Sequence, residues 1–199
     1  MNYLKKHYQE DYPSILRSFE QFHTLLVSAN QKVNLISRKT PVNEFWTRHY
    51  LDCILPAAVL ELNNKAVLDF GTGGGLPGIP LKIIFPDSKF YLLDATARKI
   101  LFVKNIIKKL DLNGCFTIVS RLEKLDSEWN GYFDALLSRS VRITPEYYFT
   151  MTRLLRRGGH VYLYRGTEVE VVGIPAQVKA YAFNHPALGT RNLLEIKVS

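Results

Sequence analysis

The run VLDFGTGGGLPGIPL, residues 67–81, decides how this chain folds. An apolar strand runs into Asp69, and Gly71, Gly73 and Gly75 follow at alternate positions. Glycines at that density are needed where a strand turns sharply into a helix and the backbone must approach a ligand closely. Single residues weigh against the commoner glycine-rich loops. Counted from Gly71, the glycine that follows the strand, a dinucleotide fingerprint, G-x-G-x-x-G, needs glycine at position 76, which is Leu76. A phosphate-binding P-loop ends in Gly-Lys-Ser/Thr, whereas Gly78 is followed by Ile-Pro.

Two further elements lie downstream in order. The next strand, KFYLLD (89–94), ends in Asp94, 23 residues beyond Gly71, with Ala95 after it. An acid at that strand end is placed to accept both hydroxyls of a ribose. The alternative is that Asp94 only caps the helix starting at Thr96 and Ala97. After the third strand comes Arg121-Leu122-Glu123, where backbone N–H groups and an apolar side chain frame an adenine. Three such elements on three consecutive strand ends fit the hydrophobic-hydrophobic-Asp-x-G-x-G-x-G form of S-adenosylmethionine-dependent methyltransferases. In that reading Asp69 organises the loop and the ligand's ammonium side. Gly71, Thr72, Gly73 and Gly75 make room for its methionine and ribose.

Around this core, short apolar runs alternate with helical periodicity from Lys65 onward. The strands AVLDF (66–70), KFYLLD (89–94), CFTIV (115–119), FDALLS (133–138) and HVYLYR (160–165) are separated by helices near 78–85, 96–110 and 145–155. Strand alternating with helix implies right-handed crossovers and a parallel sheet covered on both faces. QVKAYAF and NLLEIKV close it as an antiparallel hairpin, giving seven strands. Upstream, Ile15, Leu16, Phe19, Phe22, Leu25 and Leu26 share one face of a helix over 13–29, with Pro13 in its first turn. A second helix is expected from Pro41 to Leu60. The expectation is an α/β, Rossmann-like class I methyltransferase fold, mostly parallel and with helices on both faces. Residues 1–64 form an N-terminal helical cap and 65–199 the methyltransferase domain, in one compact unit.

Composition narrows the partners. The net charge is +8, and it is spread: 8 basic against 6 acidic residues in 1–65, 9 against 7 in 66–132, and 9 against 5 in 133–199. Such a field favours nucleic acid. No apolar run approaches the ~18–20 residues of a membrane span, and MNYLKKHYQEDYPS lacks the apolar stretch of a secretory signal. The cytoplasm and a monomer are expected. Cys53 and Cys115 form no CxxC pair and have no histidine at ligand spacing, so two reduced buried thiols and no metal are expected.

What is missing narrows the acceptor. None of the nine prolines adjoins another, so the Pro-Pro motif of exocyclic-amine base methyltransferases is absent, and the fourth strand ends in Ser138-Arg139-Ser140. Base-carbon methylation needs a thiol in the cleft, and neither cysteine lies at the C-terminal end of a strand. An acceptor with a free lone pair, such as guanine N7, needs no general base, only positioning and desolvation. Two rival readings are methylation of a small molecule or protein, and a non-catalytic ribosome-binding protein with a vestigial cofactor site.

The segments VNLISR (33–38), FWTRHYLDCILP (45–56), VLDFGTGGGLPGIPL, LLDATARKILFV (92–103), SRLEKL (120–125), DALLSRSV (134–141) and RRGGHVYLYRG (156–166) resemble the glucose-inhibited division protein B family. These are bacterial 16S rRNA guanine-N7 methyltransferases. The resemblance thins after residue 170. It implies S-adenosylmethionine as donor and a guanine N7 of small-subunit ribosomal RNA as acceptor. It places Gly71, Leu76, Asp94, Leu122, Glu123 and Arg139 against the cofactor, with Arg139 positioning rather than acting as a base. Arg48, His49 and Asp52 fall on the substrate side, and Arg165 stands where the family commonly has lysine. For His49 and Asp52 a helix-packing hydrogen bond is the equal alternative.

Overall fold

The computed structural model describes residues 2–139, 141, 143–167 and 175–197; Ser140 and Val198, which belong to segments quoted above, lie outside them. The strands are β1 (Ala66–Phe70), β2 (Lys89–Asp94), β3 (Cys115–Val119), β4 (Phe133–Ser138), β5 (Leu155–Arg165), β6 (Val178–His185) and β7 (Gly189–Lys197). They form one sheet in the order β3-β2-β1-β4-β5-β7-β6. The first five pair in parallel, and β7 runs antiparallel to β5 and β6. The expected closing hairpin is therefore present. Strand five begins five residues before the expected His160, because Leu155 already pairs with Phe133 ahead of a register shift.

β1 is the central strand of the parallel part, and its last four residues are buried. That is why it reads as a nearly continuous apolar run rather than an alternating one. The chain moves outward from β1 to β2 and β3, then returns to β4 on the other side. The carboxyl ends of β1 and β4 thus flank the switch point where open α/β sheets bind ligands.

The helices are α1 (Asn2–His7), α2 (Tyr12–Lys32), α3 (Asp52–Ile54), α4 (Gly78–Ile84), α5 (Ala97–Lys109) and α6 (Pro145–Leu154). α2 buries Ile15, Phe19, Phe22, Leu26 and Ala29. These join Val67, Ile79 and Leu92 in one apolar cluster, so the N-terminal helices share the core of the sheet. A second cluster, with Leu68, Leu136 and Met151, fills the opposite face beneath α6.

The expected single helix over 41–60 is instead four short pieces. A 3-10 turn (Val42–Glu44) leads into a π-helical turn (Trp46–Leu51), then α3, then a 3-10 segment (Leu55–Val59). Pro56 supplies one cause, since it cannot donate the N–H an α-helix needs there. The π turn adds a residue per turn, which re-aims the side chains it carries. Among the described residues no helix is long and apolar enough to cross a membrane.

Candidate functional site

The glycine loop is shaped by backbone that few other residues tolerate. Gly71, Gly73 and Gly75 have φ of +73°, +55° and +85°. A β-carbon on Gly71 would lie 2.7 Å from the Val141 side chain. The loop hangs from β2, because the N–H groups of Gly71 and Thr72 both donate to the Leu93 carbonyl, at 2.9 and 3.0 Å. Beneath it lies the carboxylate of Asp69. Its Oδ2 accepts from the Thr72 hydroxyl at 2.7 Å and from the Gly78 N–H at 2.9 Å. Its Oδ1 is buried and has no partner. Burial pushes this carboxyl up from 3.8 to about 6; the Thr72 and Gly78 hydrogen bonds and Arg139 oppose the rise, and Asp94 adds to it.

Asp94 makes the contact to the start of α5 that the alternative reading gave it, and something further. Oδ1 accepts from the Thr96 N–H at 2.8 Å, ahead of α5, and Oδ2 accepts from the Gly73 N–H at 3.0 Å. One carboxylate therefore fixes the glycine loop to the start of the next helix. Each oxygen keeps a lone pair for another donor. Ala95 is exposed just beyond it.

The other residues expected at this edge divide. Leu76 and Leu122 are buried in the two core clusters, each 3% exposed. Glu123 is exposed and pairs with Arg121 at 3.9 Å. Thr72 spends its hydroxyl on Asp69.

On the other side of the switch point stands Arg139, following β4. It does not pair with Asp134 or Glu146, the acids closest in sequence. Asp134 takes Arg156 at 2.5 Å instead. Arg139 reaches across to the irregular helix, with Nη1 3.4 Å from Asp52 Oδ2, 3.5 Å from the His49 carbonyl and 3.8 Å from Cys53 Sγ. Its Nη2 lies 3.4 Å from His49 Nδ1. Residues 49, 52 and 53 stand at i, i+3 and i+4 along this helical stretch, a spacing that turns all three toward one guanidinium. Burial, with Arg139 and Arg48 beside it, pushes the His49 imidazole down to about 4, so it is neutral at pH 7. His49 Nε2 is buried without a partner.

Asp52 is shared. Its Oδ1 accepts from Arg191 Nε, on β7, at 2.9 Å. Asp52, Arg139, Arg165 and Arg191 line a cavity of about 90 Å³. Arg165 donates to the carbonyls of Tyr164 and Val141, at 3.0 and 3.2 Å. Among the described residues, three guanidiniums and one carboxylate line this cavity, and a guanidinium's fork of donors matches phosphate or carboxylate. Arg48 is not brought there; it is exposed and pairs with Glu44 one helical turn away.

Sequence reasoning missed several contributors. Gly78 carries no positive φ, yet a β-carbon on it would lie 2.2 Å from Leu92 Cδ2 and 2.8 Å from Asp69 Oδ2. Asn30 ends α2 by accepting from the N–H groups of Leu35 and Ile36, at 2.8 and 3.0 Å. This seats Leu35 and Ile36 against Gly73 and Gly74. Cys53, expected to lie away from the cleft, touches Arg139 from the helical side. Its fully buried thiol is pushed up to about 12 and stays protonated. Among the described residues, no three His, Cys, Asp or Glu side chains are grouped to hold a metal ion.

The model of the family described as "GidB: rRNA small subunit methyltransferase G" matches residues 15–182 of this chain. A "Ribosomal RNA small subunit methyltransferase G" of Trichormus variabilis is 34% identical over 160 residues, which cover 76% of this chain and 65% of that protein. A "Ribosomal RNA small subunit methyltransferase G 1" of Syntrophobacter fumaroxidans is 34% identical over 188 residues, covering 85% of each. Among solved structures, a SAM-dependent methyltransferase from Aquifex aeolicus superposes with a TM-score of 0.58 at 16% identity, over 75% of this chain and 92% of that one. At that identity the likeness is one of fold.

Proposed function

This chain belongs to the GidB family, rRNA small subunit methyltransferase G, and we propose that it transfers a methyl group from S-adenosylmethionine to N7 of a guanine in small-subunit ribosomal RNA, as a cytoplasmic monomer. The observation that carries this reading is the cradle of three left-handed glycines held between two strand-end carboxylates, Asp69 and Asp94. A side chain on Gly71 would fill it, and the orphaned Asp69 Oδ1 offers a buried acceptor for an ammonium. These features fit the cofactor.

When bound, S-adenosylmethionine supplies a methyl group on a sulfonium sulfur. Asp69 holds the ammonium end, Asp94 accepts from the ribose hydroxyls, and the loop 71–75 excludes water along that length. Arg139, braced by Asp52 and His49, faces the meeting point of cofactor and acceptor. The cavity beside Arg139, Arg165 and Arg191 takes a phosphate next to the target nucleotide. Guanine N7 carries a free lone pair, so no proton has to leave before attack. A neutral His49 and a protonated Cys53 agree with a site that works by positioning and desolvation. The decisive test is mass mapping of methylated nucleotides in rRNA from cells with and without this protein. One 7-methylguanosine should disappear from the small subunit; an unchanged map refutes the reading.

Two predictions concern the cofactor side. Asp94→Ala should lower affinity for S-adenosylhomocysteine at least tenfold by calorimetry, since hydrogen bonds to a charged acceptor contribute about 1.5–3 kcal/mol each. It should also lower the melting temperature, because Gly73 and Thr96 lose their acceptor. Unchanged affinity removes Asp94 from the ribose.

Asp69 makes binding depend on pH. Its folded pKa, about 6, exceeds the unfolded 3.8, so its contribution to stability is full below the unfolded value and lost as pH rises through about 6. A bound ammonium favours the ionised form. Affinity for S-adenosylhomocysteine should therefore rise about tenfold between pH 5 and 7. Asp69→Asn should flatten the profile; a profile that stays steep assigns the proton elsewhere.

A further inference from the structure

The longest run of single-sign charge on a described helix is on α5. α5, 13 residues long, holds Arg98, Lys99, Lys104, Lys108 and Lys109 and no acid. The segment from Gln31 to Asn43, which begins in the last residues of α2, likewise has Lys32, Arg38 and Lys39 and no acid. The fold sets these two stretches side by side. Arg98 Nη2 donates to the Lys32 carbonyl at 3.3 Å, which joins the end of α2 to the beginning of α5.

Along α5, from the segment that follows α2 to Arg17 on α2 itself, runs a line of open cavities. At the glycine-loop end lies one of about 700 Å³, lined by Leu35, Ile36, Arg38, Lys39 and Lys99. Next is one of about 370 Å³, between Lys32 and Lys109, with half-buried Phe102 on its wall. A third, of about 490 Å³, lies between Arg17 and Lys109 and contains Glu20, the one acid lining any of the three. Past α5 the sign changes: Asp11 and Asp111 line the next cavity. The positive lane thus starts at the loop cradled by Asp94 and ends with the helix. At 1.5 Å per residue α5 spans about 20 Å. The lane meets the cofactor edge because Leu35 and Ile36 rest on Gly73 and Gly74.

We propose that this α2/α5 groove carries the sugar–phosphate backbone of the RNA substrate toward the glycine loop, as a second contact distinct from the Arg139–Arg165–Arg191 pocket. The inference rests on the rRNA reading above. A polyanion is the occupant that this charge fits, and the length and openness of the groove suit a strand rather than a small anion. It takes phosphates and reads no base, so it contributes affinity and direction but no sequence preference.

The test uses the full chain and a small-subunit rRNA fragment, with binding measured from about 50 to 200 mM salt. Each phosphate contact contributes about 0.7–0.9 to the log–log slope. The triple variant Lys39→Ala/Lys99→Ala/Lys109→Ala, one residue or more from each cavity, should lower the slope by about 2 units. Its RNA affinity at low salt should fall at least tenfold, with S-adenosylhomocysteine affinity and melting temperature unchanged. A control that removes equal charge elsewhere, Lys5→Ala/Lys6→Ala/Arg157→Ala, should move the slope by less than half as much. Equal shifts in both variants mean a diffuse field and overturn the groove, as does an unaltered slope in the first. If the parent binds RNA through the groove yet methylates no rRNA, the functional reading falls and the groove stands. If it methylates rRNA and the groove variant does so at parental affinity, only the groove is lost.

Discussion

Arg139→Ala is expected to reduce methyl transfer to small-subunit rRNA at least tenfold while cofactor affinity changes far less. The guanidinium lies at the switch point of the sheet and is held from the helical side by Asp52, the His49 carbonyl and His49 Nδ1. Such bracing fixes a planar fork of donors, which a phosphate or carboxylate can engage at two points. Truncation removes that fork, and with it the alignment of acceptor and donor. Stability should also suffer, which the sequence alone did not suggest. Asp52 loses one cation but keeps Arg191 at 2.9 Å. A cost of about 1 kcal/mol corresponds to a melting temperature about 2–4 °C lower in a protein this size. Arg139→Lys separates the two effects. It should recover most of the melting temperature and only part of the turnover, since a point charge lacks the fork. Normal turnover by the alanine variant reduces Arg139 to a packing residue between Asp52 and His49.

Gly78→Ala should damage both stability and cofactor binding. The new methyl would stand 2.2 Å from Leu92 Cδ2, on a fully buried residue of β2, and 2.8 Å from Asp69 Oδ2. Neither neighbour can yield freely. Leu92 is packed on all sides, and the Asp69 oxygen is already tied to Thr72 and to the N–H of Gly78 itself. Overpacking of this kind costs about 1–3 kcal/mol, or about 2–12 °C in melting temperature. Moving the Asp69 carboxylate should also weaken S-adenosylhomocysteine binding by more than tenfold. Gly166→Ala, where an added β-carbon meets nothing within 4 Å, is the control. Equal behaviour of the two variants contradicts the packing argument.

The sheet was legible because its information is local. β1 through β4 appear where the apolar runs stand, and the alternating glycines locate the turn that a strand-to-helix crossing demands. Asp69 and Asp94 were legible for the same reason, as acids at the ends of apolar runs. The helical side was not. The apolar spacing from Phe45 to Ala58 satisfies an α-helix, and nothing local in it marks the π turn over Trp46–Leu51. Asp52 offers no local sign that it will be shared by Arg139 and Arg191. Asn30 reads as an ordinary helix-end residue until its two acceptor bonds bring Leu35 and Ile36 onto the glycine loop. Gly78 was overlooked because its requirement is space, set by Leu92 and Asp69, rather than backbone angle.

The link from Asp52 to Arg191 joins positions 139 residues apart. During synthesis the glycine loop and its two strand-end carboxylates, Asp69 and Asp94, leave the ribosome well before Arg191 does. At the usual elongation rate of ~5–20 residues per second, the arginine that completes the pocket arrives roughly 7–30 s after its aspartate. Until then Asp52 has at most one of its two cations. A nascent chain therefore carries the glycine loop and both strand-end carboxylates before it carries both cations of Asp52.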